Sequence, residues 1–323
     1  MDSRLRTVGE AILLLLLSIV MSNIGLASLI AVAPLMFFAI RHGRKSASGL
    51  IIVFFLISLV IDILRGGIIG EGKLGCAILM IDMYFPLSLS AAGIVWLSTK
   101  GNGVMKRLFL ALLPSLVLAL GYAAFFYSDR ALLTTLIEAF ENAFAALLGP
   151  MLEILLPGID VALVAYIAML TVLSLLLPVL LCGICASCFI FETALHSRES
   201  DWEEKVMRLE YSPDAVWGFI VSWALVLLFR FVSAPLLLEI AVLNAAGIWT
   251  VIYAIEGFCV VFSRIRRRIA SLRSMTLLIL VLFFGTLIPG INLIVLIGLP
   301  LAGVLESFFD LKKLGGIGYE DHS

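Results

Sequence analysis

Residues 11–40 contain the pattern that decides the fold, and they read AILLLLLSIVMSNIGLASLIAVAPLMFFAI. This stretch contains no Asp, Glu, Lys, Arg or His. A helix of about 20 apolar residues spans a hydrocarbon core of roughly 30 Å. Within that core water is absent, and a helix satisfies all of its own backbone hydrogen bonds. The stretch therefore predicts membrane-spanning α-helix at the beginning of the chain.

Three later stretches, residues 108–128, 161–191 and 274–305, also lack Asp, Glu, Lys, Arg and His. Of the 323 residues, 62% are hydrophobic and 14% are charged, and the mean hydropathy is +1.16. Soluble domains carry about 25% charged residues, so the composition excludes a soluble protein. The sequence predicts an all-α, polytopic transmembrane helical bundle of about 8 to 10 membrane segments. We expect it to form a single integral membrane domain over residues 1–323.

Two of the uncharged runs are too long for one membrane helix. At about 1.5 Å per residue, residues 11–40 would form a helix of roughly 45 Å, which needs a tilt beyond the usual range. Asn, Gly and Pro mark breaks, so we expect one at residues 23–25 (Asn-Ile-Gly) and one at residues 289–292 (Pro-Gly-Ile-Asn). The predicted segments are residues 10–22, 26–40, 47–65, 74–98, 107–127, 159–191, 214–232, 237–263, 274–288 and 291–307.

The basic residues test this division, because Lys and Arg are enriched in cytoplasmic loops. With these segments and a cytoplasmic N-terminus, all but four of the 22 Lys and Arg residues lie on the cytoplasmic side. Those four are Arg65, Lys73, Arg130 and Arg230. If the long runs were unbroken spans, the basic residues would be divided less completely between the two sides of the membrane. We therefore predict that both termini are cytoplasmic.

Two further helices are predicted outside the membrane segments. In residues 131–156, polar side chains recur at helical spacing among Leu and Phe, which predicts an amphipathic helix in the outer interface. It would be either a lid over a cavity or a passive connector. Residues 197–213 predict a short cytoplasmic connector, in which Ser200 and Glu203 have the spacing of a capping box.

The motifs for catalysis or cofactors are incomplete. Residues 67–75 match glycine patterns of nucleotide-binding loops, but those loops need a preceding strand, whereas membrane helices flank this one. Cys182, Cys185 and Cys188 share a helical stripe with small residues, which favours helix packing over a metal cluster. With no complete catalytic constellation, we predict no enzyme activity, no cofactor, no metal site and no nucleic-acid partner.

Ionisable side chains inside membrane segments are the strongest functional signal, because charges in hydrocarbon are costly and usually face a cavity or a partner. Asp82 lies about 12 Å into its segment by helical rise. The candidate ligand-binding residues of the outer half are Asp62, Arg65, Asp82, Arg230, Glu239 and Asn244. The alternative is structural: Asp62 with Arg65, and Arg230 with Glu239, would form ion pairs at helix ends.

Two stretches resemble a known family. The first runs over residues 33–43, from Ala-Pro-Leu to Arg-His-Gly, and continues to Gly49 and residues 62–64 (Asp-Ile-Leu). The second comprises residues 256–258 (Glu-Gly-Phe), the Arg-rich loop that follows, and residues 298–313. In these stretches the chain resembles the YybS-like family of bacterial integral membrane proteins. It is more distantly similar to the substrate-binding S components of energy-coupling-factor transporters. The resemblance implies a multi-pass protein of the bacterial cytoplasmic (inner) membrane.

The resemblance and the acids together predict the substrate-binding component of a transporter for a vitamin-like or other small solute. Because no ATP site is recognisable, active uptake would need a separate ATPase and a coupling membrane subunit. Ala27 and Ala31 have the small-x-x-x-small spacing with which such components contact a membrane partner. The alternative is a non-transport membrane scaffold whose basic loops recruit cytoplasmic partners or anionic lipid.

Overall fold

The structure, a computed structural model, describes residues 3–66, 72–99, 103–155, 158–196, 214–232, 234–268 and 291–309. Apart from a short 3-10 helix at Gly25–Ile30, every regular element in these ranges is an α-helix. The α-helices are α1 Ser3–Ser22, α2 Ala33–His42, α3 Arg44–Gly66, α4 Gly72–Ser98, α5 Val104–Ser128, α6 Arg130–Leu155, α7 Val161–Leu195, α8 Ala215–Leu228, α9 Leu236–Arg268 and α10 Ile291–Phe309. The predicted all-α fold is confirmed.

Eight helical segments within the described ranges are long and apolar enough to cross a membrane. One of them, Gly25–His42, combines the 3-10 helix with α2. Ala215–Leu228 (α8) and Val295–Phe309 within α10 are shorter apolar helices outside these eight. Their outward-facing side chains are largely Leu, Ile, Val and Phe, which is the surface that lipid tails solvate. The chain is therefore a multi-pass helical membrane protein.

The predicted break in the first apolar run is confirmed at α1, which ends at Ser22. The Ser22 hydroxyl and the Asn23 side-chain amide both donate to the carbonyl of Ile19, at 2.8 and 2.6 Å. These bonds satisfy a carbonyl that the helix end leaves without a backbone partner. Gly25 follows with a φ of +30°, which favours glycine. In the last apolar run, α10 begins at Ile291, whereas residues 274–288 lie outside the described residues.

The chain divides into two compact units, Met1–His196 and Ser197–Ser323. The predicted connector, residues 197–213, lies outside the described residues. The prediction of one membrane domain over the whole chain stays a prediction, and each unit is considered by itself.

Side-chain contacts place the helix ends of the first unit on two opposite sides. On one side, Glu10 pairs with Arg41 and His42 at 3.4 and 3.3 Å, and Arg44 donates to the carbonyl of Leu97 at 3.0 Å. On the other side, Lys73 pairs with Asp129 at 3.0 Å. This hydrogen bond from Lys73 lowers the pKa of Asp129. The first group contains the helix ends that the sequence places inside.

The position of α6 follows from the helices on either side of it. α5 begins beside the end of α7, because Arg107 pairs with Glu192 at 3.0 Å. If α5 and α7 both cross the membrane, then α5 ends on the side where α7 begins. α6 connects these two points, so it begins and ends on one side, although its length and composition would allow it to cross. Such a path agrees with the interfacial helix predicted over residues 131–156, which stays a prediction.

In the second unit, α9 and α10 approach closely at two glycines. A Cβ atom on Gly257 of α9 would overlap the carbonyl oxygen of Leu299, and one on Gly303 of α10 would overlap the carbonyl oxygen of Tyr253. Residue 257 therefore faces residue 299 while residue 253 faces residue 303, so the helices run antiparallel. Glycine permits backbone contact that larger residues would prevent.

The sidedness of the first unit can be tested with a single Cys at either end of α5, in a background without native Cys. Gly103 has open space at its Cβ position, and Ser128 is exposed. We expect Gly103→Cys to resist a membrane-impermeant thiol reagent in intact cells and Ser128→Cys to react, because the sequence places these positions inside and outside. The reverse labelling pattern would overturn the predicted orientation.

Candidate functional site

The first unit contains a cavity of about 290 Å³ between α1, the 3-10 segment, α3 and α4. Its polar lining residues are Ser22, Asn23, Ser28, Ser58, Asp62 and Asp82. Its apolar wall includes Val32, Phe54, Ile61, Phe85, Pro86 and Leu89. The volume is near the lower end of the usual range for small-ligand sites, about 300 Å³.

Helical periodicity brings the lining residues of α3 together. Residues three or four apart in a helix lie on the same face. Phe54, Ser58 and Asp62 follow this spacing and all line the cavity. From the middle of α3 toward its end, the cavity is therefore lined by an apolar side chain, then a hydroxyl and then a carboxylate.

Asp82 occupies the corresponding position on α4, where Asp82, Phe85, Pro86 and Leu89 line the cavity. Pro86 follows Asp82 by four residues, and proline has no N–H to donate to the carbonyl of the residue four positions earlier. The backbone carbonyl of Asp82 therefore lacks its usual helical hydrogen bond. A carboxylate and a backbone oxygen are thus both present at this position.

The two acids of the cavity lack hydrogen-bond and ion-pair partners in the part of the chain that the structure describes. Neither Asp62 nor Asp82 forms an ion pair or a hydrogen bond with any other residue that the structure describes. Asp82 is exposed and Asp62 is half-buried, so the carboxylates lie where the cavity is accessible. The predicted pairing of Asp62 with Arg65 is not formed, and Arg65 instead donates to the side-chain oxygen of Asn23.

Ser58 contributes a buried polar atom to the same cavity. The residue is 7% exposed, and its hydroxyl has no hydrogen-bond partner within the described residues. Buried hydroxyls are nearly always hydrogen-bonded, and leaving one unsatisfied costs about 1–3 kcal/mol. The hydroxyls of Ser22 and Ser28, by contrast, donate to backbone carbonyls. Ser58 is therefore available to a ligand.

The structure gathers only part of the predicted site. Asp62 and Asp82 both line the cavity. Arg65 lies beside it, because it donates to Asn23, which is a lining residue. Arg230, Glu239 and Asn244 belong to the second unit. There the buried Asn244 donates to the carbonyl of Ile240 at 2.9 Å, and Arg230 and Glu239 do not form the alternative ion pair with each other.

The predicted partner interface has a different local structure from the helix that its spacing assumed. Ala27 lies in the 3-10 helix Gly25–Ile30, where residues four apart do not share a face as they do in an α-helix. Ala27 is half-buried, whereas Ala31 is 2% exposed and lines the cavity. In this conformation, Ala27 is the accessible member of the pair. The interface itself stays a prediction.

A buried charged cluster at the opposite end of the first unit was missed by the sequence analysis. Arg107 pairs with Glu192 at 3.0 Å, and the indole N–H of Trp96 donates to the same carboxylate at 2.9 Å. Arg107 also donates to the carbonyl of Trp96 at 3.0 Å and its guanidinium lies 3.8 Å from the Trp96 ring centre. His196 contacts Glu192 at 3.3 Å. The partners of Glu192 identify this cluster as a structural junction between α4, α5 and α7, although the Nε of Arg107 has no hydrogen-bond partner within the described residues.

The described ranges do not contain the side-chain arrangement that a metal site would need. These ranges contain no group of three or more His, Cys, Asp or Glu side chains that could hold a metal ion. The part of α7 that carries Cys182 to Cys188 packs closely against the 3-10 segment. A Cβ on Gly183 would lie 2.7 Å from the carbonyl oxygen of Leu29. The cavity remains the candidate site.

Comparison of the chain with protein-family models, with curated proteins and with solved structures gives no match. The function is therefore inferred from the geometry of the cavity.

Proposed function

We propose that this membrane protein is the solute-binding component of a small-solute transporter in the bacterial cytoplasmic membrane, and that its site is the cavity between α3 and α4. One observation carries the proposal: Asp62, Asp82 and the hydroxyl of Ser58 converge on this cavity without hydrogen-bond or ion-pair partners among the described residues. Ionisable groups within membrane segments mark substrate or ion pathways. Acids that served only to join helices would be expected to have partners.

The broken helix beside the cavity supports the same proposal. Transporters commonly build their sites at interrupted membrane helices, whose free backbone groups contact the substrate. Here the interruption between α1 and α2 supplies Asn23 and Ser28 to the lining, and Pro86 interrupts the hydrogen bonding of α4. Irregular backbone at membrane depth is tolerated where it lines a cavity.

A binding component without an ATP site needs a source of energy for uptake. The glycine-rich residues 67–75 lie largely outside the described residues, and their sequence context does not fit a nucleotide site. We propose that a separate ATPase acts through a coupling membrane subunit, which contacts the surface around Ala27. This arrangement follows the resemblance to the S components of energy-coupling-factor transporters.

The proposal predicts two results for the full-length chain purified from native membranes in mild detergent. An ATPase and a second multi-pass subunit should co-purify with it, and Ala27→Leu should reduce their recovery, because a larger side chain would separate the helices. The isolated chain should be thermally stabilised by a member of a panel of vitamins, amines, amino acids and nucleobases. A ligand at 100 times its dissociation constant stabilises by about 2.7 kcal/mol.

Matched variants decide between the outcomes. Ala123→Leu, at an exposed position of α5, should leave co-purification unchanged. Ser58→Leu, which fills the buried side of the cavity, should abolish stabilisation by the ligand. Stabilisation that survives Ser58→Leu would place the site elsewhere. Recovery of partners without stabilisation by any solute would instead favour the alternative scaffold function.

A further inference from the structure

The charge of the cavity restricts its ligand. Asp62 and Asp82 line it, and none of its described lining residues is Lys, Arg or His. Arg65, beside the cavity, donates to the side chain of Asn23. With Arg65 counted, the site carries one uncompensated negative charge. A ligand with one positive charge would balance it, whereas a carboxylate or phosphate ligand would meet repulsion from both acids.

The number and type of acceptors favour an ammonium group over a metal ion. An ammonium donates three hydrogen bonds, and the cavity offers the carboxylates of Asp62 and Asp82 and the hydroxyl of Ser58, which is 7% exposed and unpartnered in the described chain. The described residues contain no group of three or more His, Cys, Asp or Glu side chains that could hold a metal ion. A bare metal ion would also leave most of the 290 Å³ unfilled.

The apolar wall indicates what the rest of the ligand must be. Phe54, Phe85 and Leu89 line the same cavity as the acids. Aromatic rings attract cations through their faces and also pack against apolar groups. A small hydrocarbon or aromatic body attached to the ammonium would cover these side chains.

We propose that the cavity binds a small protonated amine, with its ammonium group between Asp62, Asp82 and Ser58 and its apolar body against Phe54 and Phe85. The inference rests on the proposed function of the cavity as a solute site and assigns the chemical class of the solute. The same ammonium chemistry occurs in free amines and in the headgroup of phosphatidylethanolamine, so both sources are compared in the test.

The test uses the full-length protein in detergent, with 2-phenylethylamine as the probe. We expect this amine to raise the unfolding temperature and to bind in equilibrium dialysis. Its matched analogues 2-phenylethanol and 3-phenylpropanoate, which are neutral and anionic, should do neither. Nanodiscs with and without phosphatidylethanolamine form a second arm. Weaker amine binding in the phosphatidylethanolamine discs would identify the lipid headgroup as a competing source of the ammonium.

Variants of the lining residues test whether the amine binds in this cavity. Asp62→Asn and Asp82→Asn should each weaken amine binding roughly tenfold or more, the usual effect of losing a charge-assisted hydrogen bond. Ser58→Ala should weaken it severalfold. Glu138→Gln, at an exposed acid of α6, should leave it unchanged. The comparison of ligands on the unmodified protein does not depend on any variant folding.

Each outcome supports or overturns a separate claim. Equal binding of 2-phenylethanol or 3-phenylpropanoate, or unchanged amine affinity in both Asp variants, would overturn the amine assignment. If a neutral or anionic member of the solute panel bound instead, and Ser58→Leu abolished its binding, the cavity would still be a solute site. Binding of neither the amine nor any panel member would overturn both proposals.

Discussion

Replacing Glu192 by Ala is expected to lower the free energy of unfolding of the first unit by about 3–5 kcal/mol, because removing one member of a buried ion pair strands the other. Glu192 and Arg107 are 6% and 8% exposed, and they pair at 3.0 Å. Removing the Glu192 carboxylate would also leave the indole N–H of Trp96 without its acceptor. Unfolding by SDS titration, followed by circular dichroism, measures the change.

Three further variants show how much of the expected loss of stability comes from the buried charge. Glu192→Gln keeps an acceptor for Trp96 and should cost less than Glu192→Ala. The double variant Glu192→Met with Arg107→Met should recover much of the stability, because no charge is left stranded. Glu138→Ala, at an exposed acid, should have almost no effect. A loss for Glu192→Ala no larger than that for Glu138→Ala would show that the pair contributes nothing to stability.

The sequence predicted the helices well, because membrane segments are encoded locally. An uncharged stretch must be helical wherever water is absent, and its length limits how often it crosses. The break after Ser22 was predictable for the same reason: Asn23 and Gly25 interrupt a run that is too long for one helix. Length and composition alone do not distinguish whether α6 crosses or lies at the surface, although its polar face predicted a position in the outer interface. That distinction depends on which ends of α5 and α7 are neighbours.

The site was only partly predictable, because depth along a helix does not reveal lateral neighbours. Asp62 and Asp82 were both assigned to the outer half, and they do share a cavity. Arg230 and Glu239 were assigned to the same half by the same reasoning; they belong to the second unit, and their part in the site stays a prediction. Ser58 was overlooked because a hydroxyl barely interrupts an apolar run. The periodicity of Phe54, Ser58 and Asp62 was the available signal.

The junction at Glu192 shows the corresponding limit for structural residues. Trp96 and Glu192 are far apart in sequence, yet their side chains meet at 2.9 Å. Arg107 was counted only as one of the basic residues that mark the cytoplasmic side. Its contact with Trp96 and Glu192 depends on three helix ends meeting, which no local pattern encodes. An acid directly after an apolar run, as at residue 192, was the only sequence signal.

The second large effect is expected in the second unit, where Gly257→Ala should destabilise the packing of α9 against α10. The added methyl group would overlap the carbonyl oxygen of Leu299. A backbone atom cannot move aside as a side chain can, so the two helices would have to separate along their contact. We expect a loss of about 3 kcal/mol or more, at the upper end of the cost of overpacking.

Gly298→Ala is the matched control, because it makes the same change in α10 at an exposed position with nothing within 4 Å of its Cβ. Ala is a better helix former than Gly by about 1 kcal/mol, so this variant should be neutral or slightly stabilised. Gly303→Ala, which would overlap the carbonyl oxygen of Tyr253, should behave like Gly257→Ala. SDS unfolding of the three variants measures the difference. If all three were equally stable, the two glycines would not be needed for the close approach of α9 and α10.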